Sequence, residues 1–293
     1  MTVFVTVAEE EGFAAAARRL RMSPPAVTRA IAFLEKRLGV RLLTRTTRLV
    51  RTTDAGARYL EDARRILLDA DEADEAAAGI NATPRGNLGV TAPVLFGKIY
   101  VMPVITAYQT IYTETTVSAL FIDRVVNLVD EGLDVGIRIG PLPDSSLRAI
   151  RVGQVRRVVC ASPAYLKKYG SPKSPADLAQ HPIIAATSVS AGSEWVFSRG
   201  KEKIGVRLSP RLLVNTNDGA LEAAKNGFGL TRLISYQVAS ELAAGTLKTV
   251  LTEFEEASLP VHVIHREGHH GSAKVRSFVD LAVERLRAHK ALR

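Results

Sequence analysis

The chain has 293 residues, of which 46% are hydrophobic and 24% are charged, a composition typical of a globular protein of one to three domains. Its formal net charge of +9 and its pI near 9.8 favour an acidic partner, above all nucleic acid. The single cysteine, Cys160, excludes an internal disulfide framework and fits a reducing compartment. No signal peptide is visible in the first twenty residues, and we expect no apolar run long enough to span a membrane.

Residues 2–9 are predicted to form a first helix, with Val3, Phe4 and Val7 on one side. Residues 15–20 are predicted to form a second helix, whose alanines favour helix and allow close packing against a neighbour. Arg21-Met22 is the predicted turn between the second helix and a third. Two short helices followed by a third indicate a helix-turn-helix.

The third predicted helix begins after Ser23, whose hydroxyl we expect to accept a hydrogen bond from an amide of the first turn. Pro24 suits the first helical position, where its missing N–H costs nothing. An apolar stripe recurs at helical spacing in Val27, Ile31, Leu34 and Leu38. The opposite face carries short or basic side chains that suit a DNA major groove, namely Pro25, Thr28, Arg29, Ala32 and Lys36.

Residues 40–53 are too short and too β-branched for a further helix, and they predict a two-stranded wing with Arg45, Arg48 and Arg51 exposed. Residues 18–51 contain ten Lys or Arg and one acid, Glu35, so their net charge of +9 equals that of the whole chain. Such a cluster is either a phosphate-binding surface or the solvated surface of an ordinary helical domain. The capped helix and its neighbour favour phosphate binding.

Residues 54–80 carry an apolar heptad seam made of Tyr59, Ala63, Ile66, Ala70, Ala73, Ala77 and Ile80. The pattern predicts a helix roughly 40 Å long that dimerises with a second copy. Basic residues lie toward its N-terminal end and acidic residues toward its C-terminal end, so antiparallel pairing would bring opposite charges together. The alternative is an amphipathic helix packed within its own chain.

Residues 81–86 form a predicted Pro/Gly hinge, after which strands and helices alternate. We predict an α/β domain with a mostly parallel sheet. Its strands are expected at 87–91, 115–121, 133–139, 155–161, 182–186, 211–215 and 261–265, and its helices at 95–108, 124–131, 164–169, 175–180, 218–226, 235–243 and 273–289.

Ligands of open α/β sheets bind beyond the carboxyl ends of strands, near helix N-termini. Thr91-Ala92-Pro93 and Thr216-Asn217-Asp218 occupy such places, although spacing alone favours simple helix capping at both. Arg138 ends another strand, where it either binds a carboxylate or pairs with Asp123 or Asp134. Thr231-Arg232 ends a further strand on the same side.

Recognisable catalytic motifs are missing: there is no dinucleotide or phosphate-binding glycine loop and no Gly-x-Ser-x-Gly elbow. His265, His269 and His270 cluster without cysteines or a second matched pair, which indicates a surface loop rather than a zinc site. Cys160 lies in an apolar, strand-like run, as a buried inert thiol would. We therefore expect neither an enzyme nor a bound cofactor or metal.

Four segments together resemble the DNA-binding domain of the LysR-type transcriptional regulators, and the resemblance extends to the C-terminus. They are Gly12-Phe-Ala-Ala-Ala-Ala-Arg-Arg-Leu20, Ser23-Pro-Pro-Ala-Val-Thr-Arg-Ala-Ile31, Leu34-Glu-Lys-Arg-Leu-Gly-Val-Arg-Leu-Leu-Thr-Arg-Thr46 and Thr53-Asp-Ala-Gly56. The first helix of that family usually begins several residues earlier, so Met1 falls inside the expected element.

The resemblance implies a winged helix-turn-helix at 1–53, a linker helix at 54–80 that pairs antiparallel, a hinge at 81–86 and an effector domain at 87–293. The effector domain resembles the periplasmic binding proteins, with one lobe at about 87–160 and 261–293 and a second at about 161–260. By the same resemblance, an effector pocket is lined by Thr91, Pro93, Phe96, Arg138, Thr187, Asn217 and Thr231.

These expectations describe a cytoplasmic regulator in which Thr28 and Arg29 contact bases, helped by Ser23, Pro25 and Ala32, while Lys36 and the wing arginines bind phosphates. Its partners would be a two-fold operator, a small polar or anionic effector, RNA polymerase, and further copies of the chain in a dimer or tetramer. One rival is a binding protein without regulation, against which the basic N-terminal part argues. The other is an enzyme with an added DNA-binding domain, which a turnover assay would test.

Overall fold

The computed structural model describes residues 1–45, 50–78, 83–142, 147–186, 194–266 and 272–292, and side-chain surroundings for all of these except 45, 68, 69 and 71–78. These residues form two compact units, one made mainly of residues 1–83 and the other mainly of residues 84–293. The boundary between the units lies after Thr83, and two short segments, Asn127–Leu133 and Gly268–Ala273, are grouped with the first unit.

The first unit contains six elements: α1 (Thr2–Glu9), α2 (Phe13–Arg19), α3 (Pro24–Leu38), β1 (Leu43–Arg45), β2 (Val50–Thr52) and α4 (Asp54–Ala78). Strands β1 and β2 pair antiparallel, with Thr44 opposite Arg51. This is the predicted winged helix-turn-helix followed by a long helix. Helix α2 begins two residues and ends one residue before its predicted bounds, and the last two residues of the predicted fourth helix lie outside the described residues.

The core of the first unit is built from the predicted apolar stripes. Val27, Ile31 and Leu34 of α3 are buried against Phe4 and Val7 of α1. Ala16 and Ala17 of α2 are also buried, and their small side chains allow the backbones of α2 and α3 to approach closely. Leu38, the fourth member of the α3 stripe, is exposed at the end of the helix.

The first residues of the heptad seam of α4 pack against the helix-turn-helix of the same chain. Ala63 is fully buried in the core of the first unit, and the ring of Tyr59 meets the ring of Phe4 edge-on at 5.4 Å. Ala63 is therefore already covered within its own chain, whereas Tyr59 is half-buried and its contact with a second copy stays a prediction. Ile66 and Ala70 are exposed, the side chains of Ala73 and Ala77 are not described, and Ile80 lies outside the described residues.

Ser23 precedes α3 as predicted, but its hydroxyl makes no capping hydrogen bond. The expected bond was wrong because Pro24 and Pro25 remove two N–H groups of the first turn. The next amide, that of Ala26, donates to the Ser23 carbonyl at 2.9 Å instead. The preceding turn holds Arg21 at φ +52°, a left-handed conformation that a non-glycine residue adopts at a cost.

The second unit has two lobes, each built on a five-stranded sheet. In chain order its strands are β3 (Gly86–Ala92), β4 (Thr115–Phe121), β5 (Val135–Ile139), β6 (Leu147–Val155), β7 (Arg157–Ala161), β8 (Ile183–Ala186), β9 (Glu194–Arg199), β10 (Glu202–Arg207), β11 (Leu212–Val214), β12 (Leu230–Ile234), β13 (Lys248–Val250) and β14 (Leu259–Arg266). Its α-helices are α5 (Val94–Phe96), α6 (Met102–Ile111), α7 (Pro163–Tyr169), α8 (Asn217–Lys225), α9 (Ala239–Ala243) and α10 (Ala273–Ala288).

A π-helical turn, Gly97–Val101, joins α5 to α6, and short 3-10 helices lie at Pro175–Gln180, Ser235–Gln237, Thr252–Phe254 and Lys290–Leu292. The sheet of the first lobe has the order β4-β3-β5-β14-β6, and that of the second lobe has the order β11-β8-β12-β7-β13. Strands β9 and β10 form a separate antiparallel hairpin.

Both sheets are mixed rather than mostly parallel, which corrects the prediction. In the first lobe β3 runs parallel to β4 and β5, whereas β14 is antiparallel to β5 and β6. In the second lobe β8 is parallel to β11 and β12, whereas β7 is antiparallel to β12 and β13. The chain crosses from the first sheet to the second before β7 and returns to the first sheet before β14. These two strands make the antiparallel pairs of the two sheets.

The crossing from the first lobe to the second occurs at Arg156, between β6 and β7, so the lobe boundary lies earlier than the predicted position after Cys160. The predicted strand 155–161 is thus split between two sheets. The predicted helix at 124–131 is also wrong, since Asn127 accepts a hydrogen bond from the Val129 amide at 3.0 Å and starts a turn. That turn ends at Gly132, which has φ +62°.

The segment Val94–Ile111 is long and apolar enough, by length and composition alone, to cross a membrane. The expectation that no such run exists was therefore wrong. Its side chains Phe96, Tyr100 and Tyr108 lie in the core of the first lobe, together with Phe278 and Leu286 of α10. Packing of this helical run against the sheet and α10 accounts for its apolar character, and α10 closes the first lobe as predicted.

Candidate nucleic-acid interface and ligand cleft

The face of α3 that points away from the core is the face predicted to read DNA. Ser23, Pro25, Arg29, Ala32 and Lys36 are exposed, and Thr28 is half-buried. Arg29 and Lys36 make no ion pair with any residue that the structure describes. Their charges are therefore available to a partner, as phosphate or base contacts require.

Glu35, the one acid within residues 18–51, is used inside the domain. Its Oε1 accepts hydrogen bonds from the backbone amides of Leu42 and Leu43, at 2.8 and 3.0 Å. These bonds tie the last turns of α3 to the start of the wing. The carboxylate therefore has a structural role and does not lie on the exposed basic face.

The wing is only partly described. Arg51 is exposed on β2. Arg45 belongs to β1, but its side chain is not described, and Arg48 lies outside the described residues. The structure therefore supports exposure for one of the three predicted wing arginines and leaves the other two as predictions.

Phe33 is a residue that the sequence analysis missed. It is 69% exposed and lies four residues after Arg29 on the solvent side of α3. The signal was present in the sequence, because Phe33 is a large apolar residue that does not belong to the stripe of Val27, Ile31 and Leu34. A single exposed apolar residue is ordinary on a protein surface, but this one lies on the basic face.

A cavity of about 280 Å³ lies between the two lobes of the second unit. Three of the predicted effector residues, Pro93, Arg138 and Asn217, line it. The other lining residues are Ile122, Asp123, Arg124, Val125, Ile139, Arg157, Ile234, Tyr236, Gln237 and Leu259. Apolar walls with a few convergent polar groups are typical of a small-molecule site.

Arg138 projects from β5 and is half-buried. Its Nη2 donates to the carbonyl of Val126 at 2.6 Å, and burial lowers its pKa from the ordinary value. Neither predicted acid pairs with it, since Asp134 accepts from the Gly89 amide at 2.7 Å and Asp123 bonds elsewhere. Among the described residues, Arg138 is thus a cation without a carboxylate partner, which favours the carboxylate-binding alternative.

Asp123 and Asn217 connect the two lobes across the cavity. One oxygen of Asp123 accepts from the Val94 amide at 3.0 Å, within the first lobe. Its other oxygen accepts from Nδ2 of Asn217 at 3.4 Å, at the start of α8 in the second lobe. Asn217 is 4% exposed, and within the described structure its Oδ1 has no hydrogen-bond partner. An unsatisfied buried acceptor of this kind costs about 1–3 kcal/mol.

Three further predicted effector residues that the structure describes, Thr91, Phe96 and Thr231, do not line the cavity. Thr91 and Thr231 are fully buried, and their hydroxyls have no partner among the described residues. Phe96 was wrongly placed in the pocket, because its ring is fully buried in the core of the first lobe, 5.3 Å from the ring of Tyr236. Thr187 lies outside the described residues.

No group of three or more His, Cys, Asp or Glu in the described part of the chain could hold a metal ion. His265 Nδ1 lies 2.9 Å from the carbonyl oxygen of Arg266, while His269 and His270 lie outside the described residues. Cys160 is a free, fully buried thiol on β7. Its burial matches the prediction of an inert cysteine.

We expect the thiol of Cys160 to be unreactive in the native protein. Burial, with a smaller contribution from Glu241, raises its pKa to about 12, so little thiolate exists near neutral pH. A thiol-reactive dye should label the native chain far more slowly than the same chain in denaturant, with labelling followed by mass spectrometry. Equally fast labelling in both states would contradict the burial.

Comparison with known proteins gives two family matches that together cover nearly the whole chain. Residues 1–57 match the bacterial regulatory helix-turn-helix protein, lysR family, and residues 81–287 match the LysR substrate binding domain. A curated relative, an HTH-type transcriptional repressor of Pseudomonas aeruginosa, is 32% identical over 289 residues, which cover 97% of this chain and 90% of the relative.

Two full-length solved structures are similar over both units. CrgA, a LysR-type transcriptional regulator from Neisseria meningitidis, is 30% identical with a TM-score of 0.63, and the match covers 97% of each chain. A full-length OxyR variant from Pseudomonas aeruginosa has a TM-score of 0.71 and covers 99% of this chain and 94% of its own, and at 16% identity it shows the fold alone. With both family domains, a basic recognition helix and a cleft between two lobes, the chain belongs to the LysR-type transcriptional regulators, which bind DNA and respond to effectors.

Proposed function

We propose that α3 enters the major groove of an operator. Thr28 and Arg29 contact base edges, while Ser23, Pro25 and Ala32 allow the helix to approach closely. Lys36, Arg45, Arg48 and Arg51 neutralise phosphates, and Phe33 adds an apolar contact to the same face. The observation that carries this proposal is that Arg29 and Lys36 are exposed and have no acidic partner among the described residues.

The proposal is tested by footprinting on genomic fragments taken from around the gene for this chain, at two salt concentrations. We expect a protected site with two-fold symmetry, whose affinity falls steeply as salt rises because bound counterions are released. Equal affinity for every fragment would show that the basic domain binds DNA without specificity.

We propose that the chain is a homodimer joined through α4, and that two dimers form a tetramer. Ile66 is 45% exposed and Ala70, one helical turn later on α4, is also exposed, so these two positions of the heptad seam are open to a second copy. Ile99 and Met102, on the helical run of the first lobe, give a second exposed apolar surface. A two-fold dimer presents two recognition helices to one operator.

Replacing Ile66 by aspartate is expected to weaken the dimer, because a charge at the centre of an apolar seam must be desolvated when the helices pair. Sedimentation velocity over a range of concentrations should show a shift toward monomer. The control is Glu61→Ala, an exposed change on the same helix that leaves both the seam and the basic residues of its N-terminal end intact. An unchanged distribution for Ile66→Asp would place the interface elsewhere.

We also propose that a small anionic or polar effector binds between the lobes through Arg138 and shifts the population of lobe arrangements. That shift would change the spacing of the two DNA-binding domains, the bend of the operator and the recruitment of RNA polymerase. The protein would act in the cytoplasm and return its effector unchanged. Incubation of candidate effectors with the protein, followed by chromatography, tests the last point, since any turnover would contradict it.

A further inference from the structure

Building on the proposed effector cleft, we propose that its ligand is a small monocarboxylic acid that also carries a hydrogen-bond donor, a hydroxyl or an ammonium group. Arg138 would bind the carboxylate, and Asp123 with Asn217 would bind the donor. The cavity offers unused hydrogen-bond donors on one side, at Arg138, and unused acceptors on the other, at Asp123 and Asn217.

The positive side of the cavity is Arg138. Its Nη2 donates to the Val126 carbonyl at 2.6 Å and its Nη1 donates to the Ile137 carbonyl at a long 3.5 Å. The guanidinium has no carboxylate partner within the described chain, and two described bonds leave part of its five N–H donors unused. A carboxylate matches the planar fork of a guanidinium and can accept two parallel hydrogen bonds from it. The acid function of the ligand is therefore assigned to this side.

The accepting side of the cavity is formed by Asp123 and Asn217. Asp123 accepts one described bond on each oxygen, from Val94 and from Asn217, and an ionised carboxylate can accept more. The buried Oδ1 of Asn217 accepts none within the described chain. Two acceptors side by side call for a donor on the ligand, and a second carboxylate there would be repelled by Asp123.

Most other polar groups that line the cavity are already engaged. Arg157 pairs with Glu256 at 3.3 Å. Gln237 accepts from the Ile234 amide at 2.9 Å and donates to the Tyr236 hydroxyl at 3.4 Å. Arg124 has an interaction partner of its own. Recognition of a ligand's polar atoms is thus left chiefly to Arg138, Asp123 and Asn217.

Size and wall chemistry limit the rest of the ligand. The cavity volume of about 280 Å³ lies at the lower end of the range of roughly 300–1,000 Å³ for small-molecule sites, so the ligand is expected to be small. Ile122, Val125, Ile139 and Leu259 provide apolar wall for a short hydrocarbon chain. Small amino acids and hydroxy acids with neutral side chains meet all of these conditions.

The same arrangement indicates how the ligand would act on the lobes. Asp123 belongs to the first lobe and Asn217 to the second, and their 3.4 Å hydrogen bond is a long one. A donor group placed between the Asp123 carboxylate and the Asn217 Oδ1 would add a second link between the lobes. The bound ligand would then favour the closed arrangement over the open one.

The test uses the full-length protein and sets of acids that share a carbon skeleton. Each set contains a neutral-side-chain amino acid, its 2-hydroxy analogue, the unsubstituted acid and the amine without the carboxylate, and binding is measured by calorimetry. We expect at least one amino or hydroxy acid to bind roughly tenfold or more tightly than both its unsubstituted acid and its amine. If unsubstituted acids bind as tightly and Arg138→Ala abolishes their binding, the anion site stands but this inference is overturned.

Variants at Asp123 separate recognition from folding. Asp123→Asn keeps an acceptor but removes the charge, so it should weaken an ammonium-bearing ligand roughly tenfold or more and a hydroxy acid less. The control is Asp218→Asn, an exposed acid in the first turn of α8 that does not line the cavity. Equal binding of amino acids to native protein and Asp123→Asn would overturn the role of Asp123, and no binding by any carboxylic acid would overturn the anionic-effector proposal as well.

Discussion

Replacing Arg29 by alanine is expected to remove most of the preference for operator over unrelated DNA while leaving the protein folded. Arg29 is exposed on α3 and has no ion pair with a described residue, and alanine favours helix, so the fold loses nothing. Loss of a bidentate contact to a base costs about 1–3 kcal/mol of discrimination, and about 1.4 kcal/mol is a tenfold change. Fluorescence anisotropy with operator and scrambled duplexes measures both affinities.

The matched variant is Lys36→Ala, on the same exposed face of α3. Because we assign Lys36 to a phosphate, its loss should weaken binding to both duplexes equally and lower the salt slope by about one. Lys248→Ala, an exposed change in the second lobe, should leave both affinities unchanged. If Arg29→Ala behaved like Lys36→Ala, with its preference for the operator intact, the base contact would belong to another residue.

The first unit could be predicted almost element by element because its signals are local. Pro24 fixes the start of α3, Val27, Ile31 and Leu34 set its buried face, and Gly39 ends it with a left-handed φ of +69°. The heptad seam was harder, since periodicity tells which residues share a face but not what covers that face. Ala63 is fully covered by the helix-turn-helix and Tyr59 partly so, whereas Ile66 is exposed.

The second unit was predicted less well because strand pairing is a long-range property. Residues 155–161 read as one β-branched run, yet the chain changes sheets at Arg156, and no local signal marks that change. Strands β6, β9, β10 and β13 were missed, and β9 and β10 pair only with each other.

The contacts of the cleft are also long-range, so the sequence predicts them only in part. The sequence identified Arg138 and Asn217 as candidates, but the choice of partner for Arg138 depended on where Asp123 and Asp134 point. Asp123 itself was considered only as a partner for Arg138. Its bonds to both lobes are visible only once the lobes are assembled.

Replacing Gly56 by alanine is expected to destabilise the first unit, even though Gly56 lies in the first turns of α4, where alanine is the better helix former by about 1 kcal/mol. A Cβ at this position would lie 1.9 Å from the carbonyl oxygen of Leu42. That oxygen cannot move away freely, since it accepts the Thr53 amide at 2.9 Å while the Leu42 amide donates to Glu35 at 2.8 Å.

Overpacking of a site that cannot relax typically costs about 1–3 kcal/mol, and here the contact is with backbone, which adds strain. The steric cost should therefore exceed the stabilisation that alanine gives through its higher helix propensity. A net loss of about 2 kcal/mol would lower the melting temperature of so small a unit by roughly 10 °C. The loss of stability can be measured by hydrogen exchange of the backbone amides of α1 to α4 in the full chain at a series of temperatures.

Gly12→Ala provides the matched control in the same unit. Gly12 has an extended backbone, and a Cβ there would meet only the Glu10 carbonyl at an ordinary 3.5 Å, so alanine should be tolerated. The pair separates close backbone contact from the general effect of replacing a glycine. Equal exchange in Gly56→Ala and Gly12→Ala would mean that the start of α4 can shift away from Leu42, and the packing of α4 on the helix-turn-helix would then be looser than the buried Ala63 indicates.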